Sequence, residues 1–305
     1  MTDRSTPPDA TARGEGPTTG DGAIVEQISA DEAFELLGNE TRLDILRALF
    51  DADGPLSFSA LHDAAGTRDS GRFNYHLEKL LAVFVRKTDE GYELTMEGKD
   101  AVGSILGGPY TKTVEADPVP IDAECTVCGA TLAGVFEEDL VSVTCQDCDR
   151  DLISFAIPPG AFEEYRREEW PFVAERWTRR QFETVQQGIC TVCYGQTERR
   201  LDTDPGGLHD AFDIGVQYTC ERCGEEMFAN VEASVIRHPA VVAFCYERGV
   251  DVTDTPLWEL DWAVQPNATL VSTDPLRVDV PIECAGDRLV LTLDEQAAVI
   301  TERRE

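Results

Sequence analysis

The chain has 305 residues, enough for two domains, with 58 acidic and 26 basic side chains and a formal net charge of −32. A hydrophobic fraction of 42% with 13 Phe, 7 Tyr and 4 Trp can build real cores, so the acidity is not that of a disordered chain. No run approaches the roughly 18 to 20 apolar residues of a membrane span, and Met1–Gly22 has no apolar segment of the kind a signal peptide needs.

Residues 1–28, rich in Thr, Pro, Gly and Asp, read as a disordered acidic tail. Helical periodicity begins near Ser29, with Phe34, Leu36, Leu37, Leu43, Ile45, Leu46, Leu49 and Phe50 on apolar positions broken at Gly38-Asn39. Asn39 is placed to cap the second piece, and Ser57 to cap a short helix over 58–65 that Gly66 stops. Asp69 is placed to cap a third helix over 70–81 with the core stripe Phe73, Leu77, Leu80 and Leu81. Phe84–Thr88 and Tyr92–Thr95 flank Asp89-Glu90-Gly91 as a hairpin, and a last helix covers 97–106. Three helices, a hairpin and a helix within about 80 residues make the winged helix-turn-helix plan over 29–110.

Leu37-Gly38-Asn39-Glu40-Thr41-Arg42-Leu43-Asp44-Ile45-Leu46 resembles the first-helix signature of ArsR-like winged-helix transcription regulators. Phe73-Asn74-Tyr75-His76-Leu77-Glu78-Lys79-Leu80 resembles their recognition helix, and Leu94-Thr95 with Gly98 their step from wing to last helix. Only four basic residues are lysine (Lys79, Lys87, Lys99, Lys112). Acidic excess, few lysines and an apolar core look like a protein from a salt-in halophile, where salt screens the self-repulsion. The chain is therefore most similar to the haloarchaeal branch of these regulators, whose members carry a Cys-rich C-terminal extension. The winged-helix resemblance covers about a quarter of the chain. It implies DNA binding, a cytoplasmic location and a homodimer formed through the outer helices. Metal-sensing members hold thiolate ligands inside the winged helix, whereas residues 29–110 contain no cysteine; sensing at that site is not expected.

With Phe73, Leu77 and Leu80 turned inward, the recognition helix presents Ser70, Arg72, Asn74, Tyr75 and Lys79. Arg pairs with guanine and Asn with adenine in a major groove. Arg86 and Lys87, on the wing over 84–95, suit phosphate contacts. The window 68–87 carries five basic and two acidic residues, net +3, while 29–110 as a whole carries 8 and 15, net −7. A basic patch thus coincides with the recognition helix and wing, although a charge of that size also fits a solvated helix face.

Beyond a Thr/Val/Pro-rich connector (Thr111–Ile121), eight of the ten cysteines form C-x-x-C pairs. Cys125-x2-Cys128 and Cys145-x2-Cys148 stand 16 residues apart; Cys190-x2-Cys193 and Cys220-x2-Cys223 stand 26 apart. Two such turns complete a tetrahedron of thiolates around one ion. Gly129, Gly195 and Gly224, one or two residues past a pair, are expected to supply the positive φ of each tight turn. Redox dithiols and iron–sulfur clusters use the same residues, but two pairs at ribbon spacing favour zinc. Four-cysteine sites leave no open position, so two structural zinc ions are expected. Thr131–Phe136 with Leu140–Thr144, and Gln196–Leu201 with Phe212–Thr219, read as the ribbon hairpins.

The breaker Pro158-Pro159-Gly160 precedes a predicted linking helix over 160–187. Its Arg166, Arg167, Arg176, Arg179 and Arg180 alternate with six acidic residues, an ion-paired solvated face. Trp170, Phe172, Trp177 and Phe182 are expected to pack it against the ribbons. Cys245 and Cys284 read as small core residues. His62, His76, His209 and His238 pair with no nucleophile, and no enzyme motif is present. A short helix after Pro239 and alternating strands, including a hairpin turning at Ala285-Gly286-Asp287, complete the chain.

The sequence thus predicts an α+β protein. A winged helix-turn-helix (29–110) precedes a zinc-ribbon-containing region (111–305). That region holds ribbons at about 121–155 and 188–235, a linking helix, and a small antiparallel sheet at about 268–302. The expected function is transcription regulation on double-stranded DNA by a homodimer that is neither enzyme nor membrane protein. The C-terminal region is expected to dimerise, sense an effector or contact another protein. The alternative is an adaptor whose winged helix and ribbons bind proteins in a transcription or RNA-processing assembly.

Overall fold

Short polar residues at the helix starts set the first third of the chain, as each satisfies amides that have no partner inside the helix. In the computed structural model, Ser29 accepts from the Glu32 amide at 3.2 Å and opens α1 (Ala30–Leu37). Asn39 accepts from the Arg42 amide at 3.3 Å and opens α2 (Glu40–Phe50). Ser57 opens α3 (Phe58–Ala64), and Asp69 takes the Gly71 and Arg72 amides to open α4 (Ser70–Leu80). A hairpin of β3 (Val85–Lys87) and β4 (Tyr92–Leu94) follows, with Val85 opposite Leu94, and α5 (Met96–Gly107) ends the series. Ile45, Leu46, Leu61, Phe73, Leu77, Leu80, Val85 and Val102 form one core. α1 contributes nothing fully buried, and its Phe34 is 73% exposed.

The structure describes residues 14–15, 26–81, 83–137, 140–203 and 214–305. It divides into two compact units, Met1–Leu106 and Gly107–Glu305. Most of the expected tail over 1–28 lies outside the described residues, as does His209. Within that tail, Gly14–Glu15 and Glu26–Gln27 pair as two short antiparallel strands, β1 and β2.

The second unit opens with β5 (Ala116–Glu124), β6 (Thr131–Glu137), β7 (Leu140–Cys145) and β8 (Asp151–Ala156), an antiparallel sheet in that order. Part of the expected connector is therefore a strand. β5 is an edge, paired only with β6 and irregular on either side of Val119–Ile121, and an edge accepts Pro118 and Pro120. Val119 and Ile121 alternate inward.

The predicted linking helix also begins later than expected. Single 3-10 turns at Pro159–Phe162 and Arg167–Glu169 lead into α6 (Trp170–Gln186). Pro171 occupies its first turn, the one helical place where a missing amide costs nothing. Beyond α6, β9 (Thr197–Asp202), β10 (Gly215–Cys220) and β11 (Glu226–Asn230) form a sheet in the order β11-β10-β9. Short helices α7 (Val231–Ser234), α8 (Pro239–Tyr246) and α9 (Asp261–Val264) precede the final sheet. That sheet runs β12 (Thr269–Thr273), β13 (Leu276–Cys284), β14 (Asp287–Leu293), β15 (Val299–Arg304). Its central turn has positive φ at Ala285 (52°) and Gly286 (87°), the twist a two-residue hairpin requires.

Two apolar clusters fill this unit. Leu132, Val143, Ala174 and Trp258 lie in the first, under β5–β8 and α6. Val216, Val231, Phe244, Val280 and Leu291 lie in the second, which joins β9–β11 to the C-terminal sheet. α6 serves both: Trp170 meets Phe136 at 5.3 Å between ring centroids, and Phe182 meets Tyr218 at 6.3 Å.

Two expectations for α6 fail. Trp177 is 36% exposed and not packed inward, and Arg179 is buried together with Glu175. Positions 171, 174, 175, 178 and 179 share the inward stripe of a 3.6-residue period. Arg179 Nε donates to Glu175 Oε1 at 2.9 Å, and its Nη1 and Nη2 donate to the carbonyls of Val252 and Thr255. Glu175 in turn accepts the Leu257 amide at 3.3 Å. The charge is tolerated inside because every one of these polar groups finds a partner.

Candidate metal centres and nucleic-acid face

Each quartet closes where two C-x-x-C turns meet. One turn leaves α6 or β5, and the other leaves the end of β7 or β10. The four sulfurs of Cys125, Cys128, Cys145 and Cys148 lie within 4.8 Å of one another, as do those of Cys190, Cys193, Cys220 and Cys223. Cys128 and Cys145 Sγ are 3.3 Å apart and Cys125 and Cys148 3.9 Å; Cys193 and Cys220 are 3.5 Å apart and Cys190 and Cys223 3.8 Å. A tetrahedron with metal–sulfur bonds of about 2.3 Å has edges of about 3.8 Å. The spacings fit a single shared ion and are far too long for disulfides. The two quartets therefore close within themselves and do not exchange ligands.

Backbone amides prepare one thiolate in each quartet. Val127 N points at Cys125 Sγ at 3.4 Å, and Val192 N at Cys190 Sγ at the same distance. The Cys148 and Asp147 amides pull the Cys145 thiol down to about 6, and the Cys223 amide does the same for Cys220. Such groups are thiolates at neutral pH, the form that binds metal.

All four turns end on a residue of positive φ: Gly129 (76°), Asp149 (51°), Tyr194 (59°) and Gly224 (74°). Gly195 was expected in that role, and Tyr194 takes it instead. Gly195 answers a need for space: a Cβ there would stand 3.2 Å from Cys193 Sγ, 3.3 Å from Cys220 Sγ and 2.8 Å from Arg222 Cβ. The other two cysteines, Cys245 and Cys284, are buried in the second core. Burial, with Cys284 beside it, pushes the Cys245 thiol up to about 12.

In the first unit, Ser70, Arg72, Tyr75 and Lys79 are exposed on α4, and Arg86 and Lys87 on β3. Asn74 is half-buried, and its Nδ2 donates to Glu78 Oε1 at 2.7 Å. Arg86 Nε meets Glu93 Oε1 at 2.7 Å across the hairpin. Lys79 lies 5.9 Å from the Tyr75 ring centroid and Lys87 5.5 Å from that of Tyr92. Arg72 makes no ion pair among the described residues. Glu78 and Glu93 were missed from the sequence; the four-residue step from Asn74 to Glu78 on one helix is the signal that reveals the first. His76 is buried, packing edge-on against Tyr75 with ring centroids 5.2 Å apart.

A family model described as a domain of unknown function (DUF7351) matches residues 122–299, more than half of the chain. The chain belongs to the DUF7351 family. The DUF7351 match takes in all eight clustered cysteines, α6, the sheet β9–β11 and the first quartet's sheet from the end of β5 onward. A second model, also a domain of unknown function (DUF7347), matches residues 30–105, from the start of α1 into α5. No curated protein and no solved structure matches the chain. Among the described residues, no helix is long and apolar enough to cross a membrane.

Proposed function

We propose that this DUF7351 protein is a DNA-binding transcription regulator whose first unit is a winged helix and whose second unit is stapled by two structural zinc ions. The observation that carries this is the outward face of α4. Arg72, Tyr75 and Lys79 project from it, with Arg86 and Lys87 exposed on the hairpin that follows, in a unit otherwise rich in acid. In this reading α4 enters the major groove, Arg72 pairs with a guanine edge and the hairpin lies along the backbone. Counterion release adds little affinity at molar salt, so base contacts and shape carry the binding. The exposed Phe34 on α1 suits the homodimer through outer helices that the ArsR-like resemblance implies.

Zinc is the ion that best suits four thiolates at tetrahedral spacing. Cys125, Cys128, Cys145 and Cys148 would hold one and Cys190, Cys193, Cys220 and Cys223 the other. With every position taken by sulfur, the ions supply folding free energy and leave no site for substrate.

One observation favours a protein adaptor instead: Asn74 and Arg86 already have acidic partners in Glu78 and Glu93. Capture of genomic fragments in molar KCl, with the intact chain and with Arg72→Ala/Asn74→Ala, separates the two. Enrichment of a few sites that the variant loses supports the regulator. A folded, metal-loaded chain that enriches nothing supports the adaptor.

A further inference from the structure

Residues 184–197, from Thr184 to Thr197, are the longest stretch without a charged side chain in a protein of which 28% of residues are charged. They form the end of α6 and the first turn of the second quartet. The surface there is apolar and not merely neutral: Ile189 is 44%, Val192 61% and Tyr194 81% exposed. The matching turn of the first quartet exposes one large apolar side chain, Val127.

Tyr194 supplies an independent observation. It holds φ +59°; of the other three turns, two place a glycine in that conformation, Gly129 and Gly224, and one an aspartate, Asp149, a residue type that tolerates it. A side chain there costs about 1 to 2 kcal/mol, and a ring so exposed recovers little of that by packing within the chain. The strain alone is shared with Asp149; what sets Tyr194 apart is that its strained backbone presents an aromatic ring to solvent, a feature of contact surfaces.

We propose that this turn is a self-association surface, on which Ile189, Val192 and Tyr194 meet the same patch of a second copy of the chain. Charge selects the occupant. A nucleic acid needs a track of cations; residues 184–197 have none, and the three arginines beside them share the rim with two glutamates. A basic protein gains most on the acidic surface available elsewhere. Another chain of net charge −32 is repelled by that surface and approaches closely only where charge is absent. Interface centres are depleted in charge and enriched in Tyr, as here. The rim carries both signs, with Arg199, Arg200 and Arg222 beside Glu198 and Glu221, all exposed. A two-fold contact can set those opposite charges against each other. The proposal goes beyond DNA binding and stands without it.

The test uses the full, zinc-loaded chain carrying Phe34→Glu, which removes association through α1. Sedimentation equilibrium in molar KCl compares it with the same chain also carrying Tyr194→Gly or Val192→Asp. Glycine is at ease at φ +59°, so Tyr194→Gly keeps the fold and both metals, checked by metal content and melting temperature. The expected result is a Phe34→Glu dimer whose Kd rises by about tenfold or more in both further variants. A Phe34→Glu chain that stays monomeric, or a dimer that neither variant weakens, overturns the proposal. So does single-stranded DNA binding that Tyr194→Gly abolishes while dimerisation is unchanged; that outcome reassigns the turn to nucleic acid.

Discussion

Gly195 lies so close to Cys220 that a single added methyl group would stand 3.3 Å from its sulfur, and 3.2 Å from that of Cys193. Gly195→Ala therefore crowds the second quartet. If each quartet holds one ion, bound metal should fall from two ions per chain to one, by elemental analysis, with a stability loss of about 1 to 3 kcal/mol. Gly129→Ala is the contrast, because no atom lies within 4 Å of its added methyl and only the positive φ is strained. It should keep both ions. Equal metal loss in the two variants would show that clearance at the sulfurs is not what Gly195 provides.

The buried pair of Glu175 and Arg179 ties α6 to the carbonyls of Val252 and Thr255. Glu175→Ala strands a guanidinium in the interior and should cost about 3 to 5 kcal/mol in chemical denaturation. Replacing both residues by Met removes the charges together and should recover most of that loss. A single variant as stable as the parent would mean that Arg179 escapes to solvent.

His76 has a Nδ1 without a hydrogen-bond partner, and burial, then Arg42 and Arg72, push its pKa below the usual 6.5. Below 6.5 the unfolded chain takes up a proton that the folded chain resists, so folded-state stability is complete above that pH and falls as pH drops through it. Thermal melts of the first unit's transition from about pH 7 to 5 should show this decline. His76→Leu should flatten it, and an unchanged slope in that variant would assign the decline to other groups.

If the α4 face reads DNA, its residues divide by role. Arg72→Ala should cost about 1 to 3 kcal/mol on the preferred site and relax its sequence choice, while Lys87→Ala should weaken all duplexes alike. Competition binding across base-substituted duplexes distinguishes the two patterns. Identical losses on every duplex from both variants would leave Arg72 as a phosphate contact.

Chelation supplies the last test. Each quartet joins strands of the second unit, and the first unit has no cysteine. Metal removal should melt the DUF7351 region and leave the helices of residues 30–107 intact. Uniform loss of amide protection across both units would contradict that independence.

The sequence by itself determined whatever depends on near neighbours along the chain. Ser29, Asn39, Ser57 and Asp69 cap their helices because capping needs only the amides two or three residues ahead. The C-x-x-C pairs announce their turns for the same reason, and the period-two runs 277–282 and 289–293 fall within β13 and β14, two of the four strands of the last sheet. Tertiary structure decided what depends on distant residues. The Thr/Val/Pro-rich segment over 111–121 read as a connector until its second half, with Pro118 and Pro120, proved to be the sheet edge β5. Arg179 looked solvated until the carbonyls of Val252 and Thr255, over 70 residues away, took its protons. Gly195 looked like a turn residue until two sulfurs and Arg222 closed over it, leaving the positive φ to Tyr194. Local hydrogen bonds follow sequence spacing, whereas burial, clearance and the pairing of a charge are set by which segments the fold brings together.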